Sequence, residues 1–253
     1  MSKPRRPGPL HGLWVAAGFL TRIPVGDVSR DGSVEVDTAR AVPWFPLVGL
    51  AIGAIHGGTF FLASEFFAPL VAAGLATGIS LLITGAFHHD GLADIADAFG
   101  GGWSVEERMI ILKDSRLGTY GVSALAVALI LEVVAVAQLS PSNGFRALIV
   151  AHVLGRAMAL VAMLLAPRAG EGMGASYMER LFVPHVLLSV LASIALTIRV
   201  APGFWPATLI AAAIAAVAVV ALAIRKIGGV NGDVLGAVAV VSGLAVVVLS
   251  GSI

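Results

Sequence analysis

The sequence predicts an all-α, polytopic membrane bundle of about seven transmembrane helices, and three observations lead there. Hydrophobic residues make up 58% of the 253-residue chain and charged residues only 12%, against about 25% charged in a soluble domain, and the mean hydropathy is +0.96. Seven apolar stretches approach the roughly 20 residues that a helix needs to cross a bilayer. Lysine and arginine fall almost entirely on one side of the topology those stretches define. The composition also excludes other classes. A formal net charge of +1 and 7% aromatic residues leave neither an electrostatic footprint nor a stacking platform for nucleic acid. With no cysteine, disulfides, thiolate metal sites and cysteine nucleophiles are excluded.

Residues 1–44 read as a cytoplasmic arm with a short interfacial helix, and residues 45–253 as the bundle, together a single membrane domain. The start, Met1-Ser2-Lys3-Pro4-Arg5-Arg6-Pro7, resembles the basic region of a signal peptide. No clear cleavage site follows the apolar patch Leu13–Leu20, which Thr21-Arg22-Ile23-Pro24 interrupts, so the arm is read as retained.

The expected spans are Phe45–Leu62, Phe67–Phe87, Tyr120–Leu139, Ala147–Leu165, His185–Val200, Trp205–Ile224 and Val234–Leu249, the fifth and seventh short enough to be tilted or partly interfacial. In the first, Gly49, Gly53 and Gly57 recur every four residues beside His56, a strip for close helix packing or room for a ligand. The third carries Glu132, and the fourth carries His152 and Arg156. A Glu132–Arg156 pair pinning two helices is one reading, and Arg156 pointing into a substrate cavity is the other. His56 and His152 read as satisfied core histidines. The Ala- and Val-rich tract Ala211–Ala223 reads as bilayer filler.

With the N-terminus inside, Lys3, Arg5, Arg6, Arg22, Arg30, Arg40, Arg108, Lys113, Arg116, Arg168, Arg180, Arg225 and Lys226 are cytoplasmic, while only Arg146 and Arg199 are outside. The intervals His88–Thr119, Pro167–Pro184 and Arg225–Asp233 then share the cytoplasmic face.

The chemistry concentrates in the first of these intervals. Asp90, Asp94 and Asp97 stand at i, i+4 and i+7, which on a helix lines three carboxylates along one face about 5–6 Å apart. At ~6 Å and an effective dielectric of ~20 each neighbouring pair repels by about 3 kcal/mol, and no lysine or arginine stands four residues away to relieve it. A divalent cation is the economical explanation. An all-oxygen ligand set favours Mg²⁺ or Mn²⁺. The alternative is a solvated acidic face. Arg108, Lys113 and Arg116 follow, so a strip able to hold metal lies beside one able to hold phosphate, a pairing suited to phosphoryl transfer. The turn Gly228-Gly229-Val230-Asn231-Gly232-Asp233 reads as a plain interhelical turn, or as a backbone able to approach an anion with Asp233 as a further metal ligand.

The run His88-His89-Asp90-Gly91-Leu92-Ala93-Asp94-Ile95-Ala96-Asp97 followed by Lys113-Asp114-Ser115-Arg116-Leu117-Gly118-Thr119-Tyr120-Gly121 resembles the cobalamin synthase family, whose members are adenosylcobinamide-GDP ribazoletransferases. Phe19-Leu20-Thr21-Arg22-Ile23-Pro24-Val25, Phe45-Pro46-Leu47-Val48-Gly49 and Asn231-Gly232-Asp233-Val234-Leu235-Gly236-Ala237 extend the resemblance along almost the whole chain. One departure is Ala98, where the family usually has glycine. The resemblance implies a bacterial inner-membrane enzyme with Mg²⁺ as cofactor that joins α-ribazole, or its 5′-phosphate, to adenosylcobinamide-GDP and releases GMP. It implies Asp90, Asp94, Asp97 and Asp114 as ligands of one or two Mg²⁺, with Asp233 completing the shell. Arg108, Lys113 and Arg116 would grip the diphosphate, joined by Ser115, Asn231 and Arg156, and His88 or an aspartate would accept the hydroxyl proton. The partners expected are these two substrates and the bilayer, with no nucleic acid; the glycine strip would also allow association of copies. A CDP-alcohol phosphotransferase is the nearest rival, but its Asp-x-x-Asp-Gly-x-x-Ala-Arg pattern fails at Ala98, and Gly118 stands where its later aspartate would be. An ion-coupled transporter, which would place its binding groups near the bilayer midplane, is the rival from a different class.

Overall fold

The computed structural model describes residues 10–25, 40–170 and 181–251. Lys3, Arg5, Arg6, Arg30 and Arg180, counted toward the orientation, lie outside the described residues. Ten α-helices, and no named strand among the described residues, make up the body: α1 (His11–Leu20), α2 (Phe45–Ala63), α3 (Pro69–Thr84), α4 (Phe87–Gly101), α5 (Val105–Ile111), α6 (Thr119–Ala137), α7 (Pro141–Leu165), α8 (Val183–Val200), α9 (Trp205–Ile227) and α10 (Gly232–Ser250). Six of them, α2 and α6–α10, are long and apolar enough to cross a membrane. The all-helical membrane bundle is as the sequence predicts.

The helix ends follow local chemistry. Pro69 and Pro141 occupy first turns, where the missing N–H has no partner to lose. The Ser140 hydroxyl accepts from Asn143 N–H at 3.3 Å to open α7, and the Asn231 side chain accepts from Val234 N–H at 3.0 Å to open α10. Gly228, at φ 82°, closes α9 in the left-handed conformation.

The centre of the bundle is α7, buried over 78% of its most apolar window, whereas α8 at the rim is buried over 17%. The glycine strip of α2 lies directly on α7: a Cβ at Gly53 would come within 2.8 Å of Ile149 Cα, and one at Gly57 within 2.8 Å of the Phe145 carbonyl. Packing, not a ligand, occupies that strip. A neighbouring face of α7 takes α10 through Gly155 and Ala151, and α9 packs on α10.

The second expected span is corrected at its end. It runs as α3 and then breaks, because Gly85 (φ 62°) and Ala86 (φ 55°) are both left-handed, and α4 leaves at 91° to α3. At 16 residues, α3 is about 24 Å long, a short crossing, and reaches the length of a full span only together with α4. The crossing itself belongs to α3. The end of α2 packs through Gly57 and Phe60 on Phe145 and Gly144 at the start of α7, while Gly91 of α4 touches Asp233 at the start of α10, the opposite end of the bundle. So α4 lies across that second end, held between α10 and α6.

Alanine in the left-handed region costs about 1 kcal/mol. Gly85 has both a positive φ and no room, since a Cβ there would fall on Arg22 Nε. Gly85→Ala is therefore expected to lower thermal stability in detergent by more than about 1 kcal/mol, and Ala86→Gly to leave it unchanged or raised. No loss in Gly85→Ala, or a loss in Ala86→Gly, would contradict the left-handed pair.

The cationic residues divide by end. Arg22, Arg40, Arg108, Lys113, Arg116, Arg168, Arg225 and Lys226 lie toward the α4 end. Arg146 and Arg199 line one pocket of about 430 Å³ with Phe61 and Phe145 at the other end.

Candidate active site at the acidic end of the bundle

Three helix starts converge here. Gly91 has no side chain, which lets α4 approach the backbone of Asp233; a Cβ would lie 2.8 Å from its carbonyl oxygen. That contact brings the first turn of α10 against the acidic face of α4. The start of α6 is joined to the same face by Asp97, whose carboxylate oxygens accept from Gly118 N–H at 2.7 Å and Gly121 N–H at 2.8 Å.

Asp94 sits at the centre of the acidic group. It is half-buried, and its carboxyl is pushed up to about 6 by burial first and then by the negative charges of Asp90, Asp233 and Asp97. Asp90 is exposed in the first turn of α4. Asp233, in the first turn of α10, has one oxygen engaged by the Asn231 amide at 3.0 Å. Among the described residues, no three His, Asp or Glu side chains stand together as a ready-made cation cage. The donor chemistry still suits a hard cation: crowded carboxylate oxygens, with Asp94 and Asp233 both pushed up by burial first and then by neighbouring negative charge. Asp90, Asp94 and Asp233 are the ones with capacity to spare.

The other two expected ligands are already engaged. Asp97 ties α6 to α4 as described. Asp114 lies in the exposed turn before α6, where the Arg116 guanidinium donates to it at 2.6 and 3.0 Å and the Arg116 backbone N–H adds a third bond at 3.0 Å. Those bonds hold the Asp114 carboxyl down at about 2.

The expected phosphate-binding residues divide similarly. Lys113, Ser115 and Arg116 are exposed on the turn between α5 and α6. Arg108 spends its guanidinium on backbone carbonyls, donating to Lys226 at 2.9 Å and to Trp103 at 3.2 Å, while Lys226 Nζ donates to the Phe99 carbonyl at 3.2 Å. These bonds fasten α4, α5 and the end of α9 together. The short α5 is opened by a capping box between Ser104 and Glu107, a Ser-x-x-Glu signal present in the sequence. Asn231 caps α10. The loop at Arg168 is bridged to Val230 by backbone bonds of 2.8 and 3.0 Å, which closes the floor of this end.

Arg156 is placed elsewhere than in that cationic strip. It is only 6% exposed, inside the bundle, with its guanidinium 2.8 Å from His152 Nδ1 and 3.5 Å from His88 Nδ1. The direct Glu132–Arg156 pair offered as one reading does not form. Glu132 instead lies 3.7 Å from His56 Nε2, and the two histidines expected to be satisfied core residues stand between acid and arginine, 3.1 Å apart. The sequence signal for this is the i, i+4 spacing of His152 and Arg156 on α7.

The profile of the family described as cobalamin-5-phosphate synthase matches residues 12–250 of the chain. Curated proteins named adenosylcobinamide-GDP ribazoletransferase are similar over most of their length. That of Shewanella pealeana is 37% identical over 238 residues, covering 90% of each chain. That of Bradyrhizobium diazoefficiens is 38% identical over 230 residues, covering 89% of this chain and 87% of the relative. That of Ralstonia pickettii is 35% identical over 236 residues, covering 89% of both. No solved structure matches.

Proposed function

The chain belongs to the cobalamin-5-phosphate synthase family, and from that membership together with its acidic end we propose a membrane-embedded transferase that joins α-ribazole, or its 5′-phosphate, to adenosylcobinamide-GDP and releases GMP, the step that assembles the nucleotide loop of cobalamin. The observation that carries the reading is the mutual repulsion of Asp94 with Asp90 and Asp233 at the end of the bundle where Asp97 also anchors the turn that follows the exposed Lys113 and Arg116.

In this reaction the ribose 3′-hydroxyl of ribazole attacks the phosphorus nearer the cobinamide side chain. The P–O bond to the second phosphorus breaks, GMP leaves with the bridging oxygen, and the hydroxyl proton passes to a carboxylate of the α4 row. No covalent enzyme intermediate is needed. Lys113 and Arg116 bind the diphosphate, Arg116 exchanging Asp114 for phosphate oxygens. His88 has its Nδ1 lone pair facing Arg156 at 3.5 Å, which leaves the imidazole proton on Nε2. Asp90, Asp94 and Asp233 would hold Mg²⁺ or Mn²⁺, which when bound neutralises charge on the diphosphate. The substrates are nucleotides, and the cationic residues gather at this end while Arg146 and Arg199 occupy the other. Both points support a cytoplasmic site and N-terminus in a bacterial inner membrane.

The test is the purified full chain with Mg²⁺, adenosylcobinamide-GDP and α-ribazole 5′-phosphate, followed for both products. Stoichiometric GMP and cobalamin 5′-phosphate are expected. CMP release from a CDP-alcohol instead would move the enzyme to phospholipid synthesis.

A second expectation concerns pH. Because Asp94 without a cation ionises only near pH 6, binding below that pH must displace a proton. Mn²⁺ affinity measured by electron paramagnetic resonance should be nearly constant from pH 7 to 8 and fall up to about tenfold per unit below about 6. A flat profile down to pH 5 would remove Asp94 from the ligand set.

A further inference from the structure

A line of polar side chains runs through the interior of the bundle, touching four helices. Arg156 and His152 belong to α7, His56 to α2, Glu132 to α6 and His88 to α4. His56 is fully buried, Arg156 is 6% exposed, and the Glu132 side chain is 17% exposed. An arginine in such surroundings is costly unless its charge is met. Here the nearest acid is not in contact with it.

The direction of the line follows from hydrogen-bonding capacity. A guanidinium only donates, so His152 Nδ1, 2.8 Å from Arg156 Nη1, is an acceptor and carries no proton. The proton of neutral His152 then sits on Nε2, which donates to His56 Nδ1 at 3.1 Å. That leaves the His56 proton on Nε2, 3.7 Å from Glu132 Oε1, within ion-pair range though longer than a hydrogen bond. Both hydrogen bonds run from the arginine toward the acid, and the last gap, from His56 to Glu132, is closed by proximity alone. At the other end, Arg156 Nη2 faces His88 Nδ1 at 3.5 Å, two residues before Asp90.

We infer that Glu132, His56, His152 and Arg156 are positioning residues: one directional line that presents the Arg156 guanidinium to His88 and so fixes the first turn of the acidic helix. The line rests on the proposed transfer only for its kinetic consequence. Its geometry makes sense of an otherwise wasteful arrangement. Two oriented imidazoles couple the arginine to its counter-charge on α6, and the same guanidinium is left with a free edge for α4. Because α2, α6 and α7 all contribute, a shift of any one of them displaces His88. Arg156 then acts through His88 and does not touch the diphosphate.

Two measurements on the full-length protein in detergent decide it. Arg156→Gln should lower kcat for GMP release about 100-fold, the scale of a misplacement near 1 Å, with the KM of both substrates within about twofold; Arg156→Lys should recover about a tenth of the wild-type rate. Glu132→Gln, at the remote end, should lower kcat about tenfold without changing KM. A KM for adenosylcobinamide-GDP raised tenfold or more in Arg156→Gln would mean direct phosphate contact and overturn the inference. The second measurement needs no activity. In ¹⁵N-histidine-labelled protein, with signals assigned through His56→Asn and His152→Asn, both imidazoles should be neutral with the proton on Nε2. A proton on Nδ1 of either, or on both nitrogens, overturns the line even if the kinetic variants fail to fold. Wild-type protein that releases no GMP would end the proposed function and leave the tautomer measurement decisive for the line.

Discussion

Asp94→Asn is expected to lower kcat for GMP release about 10²–10³-fold, the range seen when one electrostatic contact to a developing transition state is removed. The substitution preserves size, so membrane insertion and folding should survive. Stability supplies a second readout with a definite sign. The Asp94 carboxyl is raised to about 6 by burial and by Asp90, Asp233 and Asp97. A raised folded-state value means that ionisation is disfavoured by the fold. The cation-free wild type is favoured while the group is protonated and loses that advantage as pH climbs from about 4 through about 6. Asparagine never ionises. At pH 7.5 without divalent cations Asp94→Asn should therefore unfold at the same or a higher temperature than wild type, and Mn²⁺ should raise the melting temperature of wild type alone. Wild-type turnover in the variant, or an equal Mn²⁺ response, would remove Asp94 from the chemistry.

Asp97→Ala is expected to fail for a different reason. Asp97 accepts from the N–H groups of Gly118 and Gly121, so alanine leaves two donors at the start of α6 without their acceptor. Such a loss costs about 1–3 kcal/mol, and loss of a helix-capping side chain about 0.5–2 kcal/mol. The melting temperature should drop, activity should fall because the Lys113–Arg116 turn is released, and Mn²⁺ affinity should stay within about twofold of wild type. Asp97→Asn keeps one acceptor and should fall between. If Mn²⁺ affinity instead collapses as in Asp94→Asn, then Asp97 is a ligand and its bonds to α6 are secondary.

The crossing helices are legible in the sequence because each depends on a run of its own residues. The glycine strip of α2 faces α7 for the same reason: spacing on one helix defines one face. The break at Gly85-Ala86 is not legible, because apolarity continues through it and nothing local marks Ala86 as left-handed. Acidic spacing shows the row on α4 but not the division of labour within it. Asp97 is committed by amides 21 and 24 residues away, and Arg108 by a carbonyl 118 residues away. Those partners exist only after the bundle closes. Glu132 and Arg156 stand out in the sequence as ionisable residues within spans, yet linking them through His56 and His152 requires knowing that the fold brings His56 of α2 near both His152 of α7 and Glu132 of α6.

The three helix starts gathered at the acidic end have an electrostatic meaning. Asp90 lies in the first turn of α4 and Asp233 in the first turn of α10, and Asp97 faces the opening of α6. Each carboxylate thus meets the partial positive pole of a peptide dipole array, worth about 0.3–1 kcal/mol apiece. Backbone amides moderate the repulsion that a lysine would otherwise have to neutralise, and they do so without forming a pair that must be broken. A divalent ion can come and go with each turnover without any of these three carboxylates having to leave a lysine or arginine. The polypeptide itself serves as a permanent, weak counter-charge.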